Sequence, residues 1–265
     1  MNPNDKQNDI IEEIDDDELQ ELVLEAQRQA LSQSQQDQQK AKHPFPKWLF
    51  WLIASMMIVN TFAVFFEVFS IPAIEFVKTS ARLSAQEDIA AYKKSIVVIT
   101  TTDGKGTGFS ISSDGSILTN YHVIEGNQKV TVSFPDKGLF TANVVHTYPS
   151  IDLAVLEIEG EDLPYLELAD HTTFTDDESI YFIGNPLKFT GIANEGTIID
   201  YLQLKDWDEP VVMMKAPVYR GNSGSPVLNL SGQVIGVVFA TLEHETYGKV
   251  GLFVPIDAYY SHQED

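Results

Sequence analysis

The sequence predicts an all-β protein of two six-stranded antiparallel barrels, preceded by a single transmembrane helix. Three observations carry this. Beyond Ser95 the chain breaks into two series of short β-rich runs with turn signals about every eight to twelve residues. Little helical periodicity lies between those runs, which disfavours a βαβ sheet. Ahead of them, Trp48 to Phe66 holds nineteen consecutive residues without a charge.

The 265 residues are 43% apolar, enough for a real core, and contain no cysteine, so neither disulfides nor a thiolate metal site can form. A formal charge of −22 argues against nonspecific binding to nucleic acid, where Lys and Arg must neutralise phosphates. It reads instead as a solvated acidic surface. Composition divides the chain into a cytoplasmic acidic, Gln-rich tail (1–47), a transmembrane helix (48–70), a stalk or linker (71–94) and two barrels (95–160 and 161–258).

Within the tail, Asp15-Asp16-Asp17 can open a helix at its positive end, running to about Gln36. Leu19, Val23, Ala26 and Ala30 fall on one stripe, with Leu22 beside it. Two readings stay open, a partner-binding helix and a solvated or disordered tail. The uncharged run that follows spans roughly 30 Å at about 1.5 Å per residue. Trp48 and Trp51 suit an interfacial belt, and Lys40, Lys42 and Lys47 precede the run. A cleaved signal peptide fits worse, because the run lies far from the N-terminus and no small-x-small site follows. The lysines place the tail in the cytoplasm and residues after about 70 outside, in a periplasmic or extracellular space.

Pro72 is read as a stop, and Thr79 to Tyr92 as a short helix with Ala81, Ala85, Ile89 and Tyr92 on one face. Strands are then expected over 96–101, 107–112, 116–121, 129–134, 140–147 and 153–159. Asp103-Gly104, Asp114-Gly115, Glu125-Gly126-Asn127 and Asp136-Lys137-Gly138 separate members of this series. After Asp162-Leu163-Pro164 a second series covers 179–183, 192–204, 211–215, 225–230, 233–240 and 250–254.

Candidate chemistry centres on Arg220-Gly221-Asn222-Ser223-Gly224-Ser225-Pro226. Small residues there let the chain turn sharply, so that the N–H groups of Gly221 and Ser223 can point at one spot beside the Ser223 hydroxyl. A nucleophilic serine needs a base, and of six histidines His122 stands apart, ending the apolar run Ile117-Leu118-Thr119-Asn120-Tyr121. Asp152 precedes the strand Leu153-Ala154-Val155-Leu156, where a partly buried acid needs a partner. Taken singly, His122 as a structural histidine and Asp152 as a turn cap remain equally good readings.

Together with Gly106-Thr107-Gly108-Phe109, these blocks resemble the chymotrypsin-like serine peptidase superfamily, most closely its Do/HtrA-type branch, over about residues 90–258. The resemblance implies a chymotrypsin-like fold and a serine endopeptidase with Ser223 as nucleophile, His122 as base and acid, and Asp152 as orienting acid. It also implies an oxyanion hole from the Gly221 and Ser223 N–H groups, with no metal or organic cofactor. Expected partners are a protein or peptide substrate and the membrane, with no nucleic acid, and self-association is left open. Val250-Gly251-Leu252-Phe253-Val254-Pro255-Ile256 resembles the closing strand of such a domain, and no PDZ domain is expected after it. The branch's position for the floor of the primary pocket falls on Pro217, which argues against a preference for Lys or Arg. Val238 and Phe239 are expected to form an apolar wall, and Arg220 either borders the pocket or pairs locally. Val237-Val238-Phe239 lacks the histidine of the glutamyl-endopeptidase branch, so glutamate specificity is not expected. An enzyme in envelope protein quality control or processing is the first reading, and a binding or sensor module on a protease fold is the second.

Overall fold

The computed structural model describes residues 16–39, 46–69, 71–186, 189–205 and 207–263. The chain divides into two compact units, 1–66 and 67–265. In the first, the expected acidic helix forms as α1, Asp16–Gln39, with Leu22, Val23 and Leu24 exposed. The second helix, α2, Lys47–Phe69, carries the uncharged run. The single transmembrane span expected there is not supported: among the described residues no helix is long and apolar enough to cross a membrane.

In the second unit, helices occupy most of the segment expected as a stalk. Helix α3, Ile71–Ser84, carries Pro72 in its first turn, where a missing N–H costs nothing, and the preceding α2 ends at Phe69. α3 breaks at Ala85-Gln86 before α4, Glu87–Tyr92. Leu83 and Ile89 are fully buried.

The twelve expected strands all form, some shifted by a few residues at their ends. β1 (Ile96–Thr100), β2 (Lys105–Ser110), β3 (Ser116–Thr119), β4 (Lys129–Phe134), β5 (Gly138–Tyr148) and β6 (Leu153–Glu157) close a barrel in the order β1-β2-β3-β6-β5-β4. β7 (Ser179–Gly184), β8 (Ile192–Leu202), β9 (Val211–Lys215), β10 (Pro226–Leu228), β11 (Val234–His244) and β12 (Gly248–Pro255) close a second in the order β10-β11-β12-β9-β8-β7. Neighbours within each barrel pair antiparallel, as in Gly108↔Thr119 and Val237↔Val254.

Burial explains the apolar runs. Ala154 and Leu156 point into the first barrel with Val97, Ile99, Ile117 and Val132. Leu153 and Val155 point the other way, into a layer shared with Ile183, Leu228, Val237 and Val254 of the second. A strand buried on both faces reads as an uninterrupted apolar run, and each of its Leu and Val side chains contributes about 1.5–3 kcal/mol by leaving water. The second barrel has its own filling, including Phe182, Met214, Val227 and Phe253.

The last helix, α6, Ile256–Gln263, is tied to this barrel through Asp257. Its carboxylate accepts the Thr172 N–H at 2.7 Å and pairs with His171 Nδ1 at 3.1 Å. Burial works against the charged form, but the Thr172 and His171 bonds prevail and hold the carboxyl below its usual 3.8. A lowered folded-state pKa stabilises the protein above 3.8, and the contribution disappears as pH falls below that value toward the folded one. Asp257→Asn is therefore expected to lower the melting temperature at neutral pH by about 2–4 °C. The gap from wild type should close below pH 3.8, and a gap independent of pH would refute the charge-based account.

Candidate active site

β3 delivers His122, the candidate base. It ends at Thr119, and Asn120 leads into a single helical turn, α5, Tyr121–Ile124, which lifts His122 out of the barrel while Ile124 stays in the core. The acid arrives from the other side of the same barrel. A 3-10 turn, Pro149–Ile151, leaves Asp152 in the left-handed region at φ 51° just before β6. That conformation is uncommon for a residue with a Cβ and clusters at functional sites. Asp152 Oδ1 accepts the His122 N–H at 2.9 Å, and Oδ2 lies 2.6 Å from His122 Nδ1. The Asp152 carbonyl accepts the Tyr121 N–H and the Asn120 Nδ2–H, at 3.1 and 2.9 Å. Four bonds thus fix acid against base. The Asp152 side chain is 15% exposed and that of His122 45%, so the acid is enclosed and the ring faces the cleft.

The serine comes from the second barrel, in the loop between β9 and β10. Thr107 of β2 clamps this loop across the barrels: its N–H donates to the Ser223 carbonyl at 2.9 Å and its Oγ1 to the Gly221 carbonyl at 2.7 Å. The Asn185 N–H donates to the same Oγ1 at 2.9 Å. Gly224 has φ 84°, and a Cβ there would lie 1.9 Å from the Thr107 carbonyl. Only glycine permits that approach. Gly224→Ala is expected to cost on the order of 3 kcal/mol, read from the urea midpoint. An unchanged midpoint would show that the two main chains do not need to meet.

The Asn222 N–H donates to the Tyr219 carbonyl at 3.0 Å and closes a four-residue turn. Gly221, its third residue, has φ 98°, the mark of a type II turn. Among the described residues, neither the Gly221 nor the Ser223 N–H donates a hydrogen bond. Both residues line one cleft of about 410 Å³ together with His122, Lys105, Asn127 and Arg220. Ser223 Oγ donates to the Phe239 carbonyl at 3.4 Å, and no bond joins it to His122. Catalytic hydrogen bonds often tighten only once substrate is bound.

The structure thus brings His122, Ser223, Gly221 and Arg220 to one cleft, with Asp152 behind His122. The remaining expected substrate contacts are not among its lining residues. Val238 is fully buried in the second barrel's core, because strand alternation turns its side chain inward. Phe239 sits at a bulge in β11, its ring 4.7 Å from that of Trp207, so its carbonyl and not its ring meets Ser223. Pro217 is exposed and outside the cleft lining. Thr107 went unassigned although its motif was visible. A threonine between glycines in a strand is the signal that a second main chain approaches there.

A family model described as a trypsin-like peptidase domain matches residues 106–237. Among curated proteins, the chain is 35% identical over 156 residues to the probable periplasmic serine endoprotease DegP-like of Chlamydia trachomatis, covering 57% of this chain and 31% of that protein. The chain thus spans about a third of the length of the curated relatives it matches. Among solved structures, the Rv3671c protease from M. tuberculosis in its active form superposes with a TM-score of 0.59 at 30% identity, covering 68% of this chain and 83% of that one. The HtrA-type protease AlgW with tripeptide gives 0.60 at 25% identity, covering 67% and 61%.

Proposed function

The chain belongs to the trypsin-like peptidases, and from that membership we propose that it is a serine endopeptidase working through Ser223, His122 and Asp152. The observation that carries the reading is the pair of hydrogen bonds between Asp152 and His122, beside a cleft lined by His122, Ser223 and Gly221, the last two with unused N–H groups. Ser223 Oγ, turned about χ1 from the Phe239 carbonyl toward His122, attacks the scissile carbonyl as His122 Nε2 takes its proton. Asp152 keeps the proton on Nδ1 and stabilises the imidazolium. The Gly221 and Ser223 N–H groups hold the oxyanion. His122 then gives the proton to the leaving amine, and water hydrolyses the acyl-enzyme. Arg220 borders the bound chain.

Full-length chain treated with a fluorophosphonate probe should label at Ser223 and turn over casein. Absence of both would favour the binding-module reading, which the Ser223 bond to Phe239 supports.

The tether is part of the same proposal and rests on the sequence. Trp48, Trp51, Met56 and Met57 stand 66–71% exposed around α2, an all-round apolar surface that suits lipid better than water. The relatives named as periplasmic endoproteases support an extracytoplasmic catalytic domain, and envelope proteins are its proposed substrates. The chain should stay in the pellet of alkali-washed membranes; release into the supernatant would remove the anchor from the proposal.

A further inference from the structure

The turn that aims the Gly221 N–H begins at Tyr219, and Tyr219 is not left to itself. Its ring packs edge-on against Phe76 of α3, with centroids 5.0 Å apart and planes at 83°. Phe76 is 7% exposed, lies far from the nucleophile in sequence, and is not among the residues lining the cleft. α3 is itself fastened along β8. The Ala193 N–H donates to Ser80 Oγ at 3.2 Å, Arg82 pairs with Glu195 at 2.6 Å, and Leu83 is fully buried. The helix is therefore a fixed support with one aromatic contact on the loop that shapes the oxyanion site.

We propose that Phe76 is a positioning residue for the oxyanion turn: seated on Tyr219, it holds the Tyr219–Asn222 turn in the conformation that points the Gly221 N–H into the cleft. This rests on the peptidase reading above. A glycine-containing turn has several backbone conformations of similar energy, and only one closes the Asn222-to-Tyr219 bond while presenting the Gly221 donor. Tyr219 supplies that bond's carbonyl from its main chain and the contact with α3 from its side chain, so a fixed ring fixes the acceptor. The support comes from the segment directly following α2, which makes the part of the chain before the barrels a component of the catalytic machinery.

The test uses full-length Phe76→Ala and Phe76→Leu, the second keeping apolar bulk without the ring. Losing an edge-to-face pair should lower kcat about tenfold in Phe76→Ala, with KM within about twofold of wild type. Phe76→Leu should melt close to wild type and still lose several-fold in kcat. In both variants the Asn222 amide should exchange with solvent faster than in wild type. An unchanged kcat, a change confined to KM, or unaltered Asn222 exchange would overturn the proposal. A wild-type chain without turnover would sink the peptidase reading alone. The Asn222 exchange rates would then still decide whether Phe76 holds the turn.

Discussion

Ser223→Ala is expected to lower kcat by about 10⁶-fold, the scale on which removing a triad nucleophile acts. The fold should not register the change. Ser223 Oγ makes one bond, to the Phe239 carbonyl at 3.4 Å, and a bond of that length contributes at most about 1 kcal/mol. The loop is held by main-chain groups that alanine retains, the Ser223 carbonyl taking the Thr107 N–H and the Gly224 N–H reaching the Val238 carbonyl at 2.8 Å. Activity and stability therefore separate at this position, whereas Gly224→Ala beside it strikes stability first. The measurement is single-turnover peptide cleavage alongside a melting curve. Fluorophosphonate labelling that persists in Ser223→Ala would remove this residue as nucleophile.

Asp152→Asn should cost about 10⁴-fold in kcat while leaving the structure intact. The carboxylate serves two donors, the His122 N–H through Oδ1 and Nδ1–H through Oδ2. An asparagine offers one acceptor. If its oxygen keeps the backbone N–H, its NH₂ faces Nδ1, forces the proton onto Nε2 and removes the lone pair that should receive the serine proton. Asparagine tolerates the left-handed backbone that Asp152 adopts, so the variant changes charge and hydrogen bonding but not the turn. With His122 45% exposed, replacing the charge-assisted hydrogen bonds by neutral ones should cost on the order of 1 kcal/mol of stability. The pH profile of kcat/KM for wild type and variant checks this; a loss of less than tenfold would mean that Asp152 does not set the tautomer.

The strands were legible because their burial is periodic or continuous. Leu153 to Leu156 reads as one apolar run since one barrel takes alternate side chains and the layer between barrels takes the rest. His122, Asp152 and Ser223 were legible because each stands at a break in such a run, where a strand must end and a polar group must be satisfied. The apolar wall was not. Val238 and Phe239 are consecutive, and the sequence does not disclose that a bulge falls between Val238 and Ala240. Strand alternation turns Val238 into the core, the bulge at Phe239 seats that ring on Trp207, and only a carbonyl is left for the site.

The amino-acid order by itself determined the number and place of the strands, the three residues of the proposed triad and the charge-free run at 48–66, since each depends on neighbours a few positions away. The tertiary structure decided what depends on distant chain segments meeting. Thr107 clamps a loop 114 residues further on. Gly224 must be glycine because β2 passes against it. Phe76, in a segment read as a stalk, lies on Tyr219 because α3 packs along β8. Such contacts are set by how closed barrels bring loops together, and no local periodicity records them.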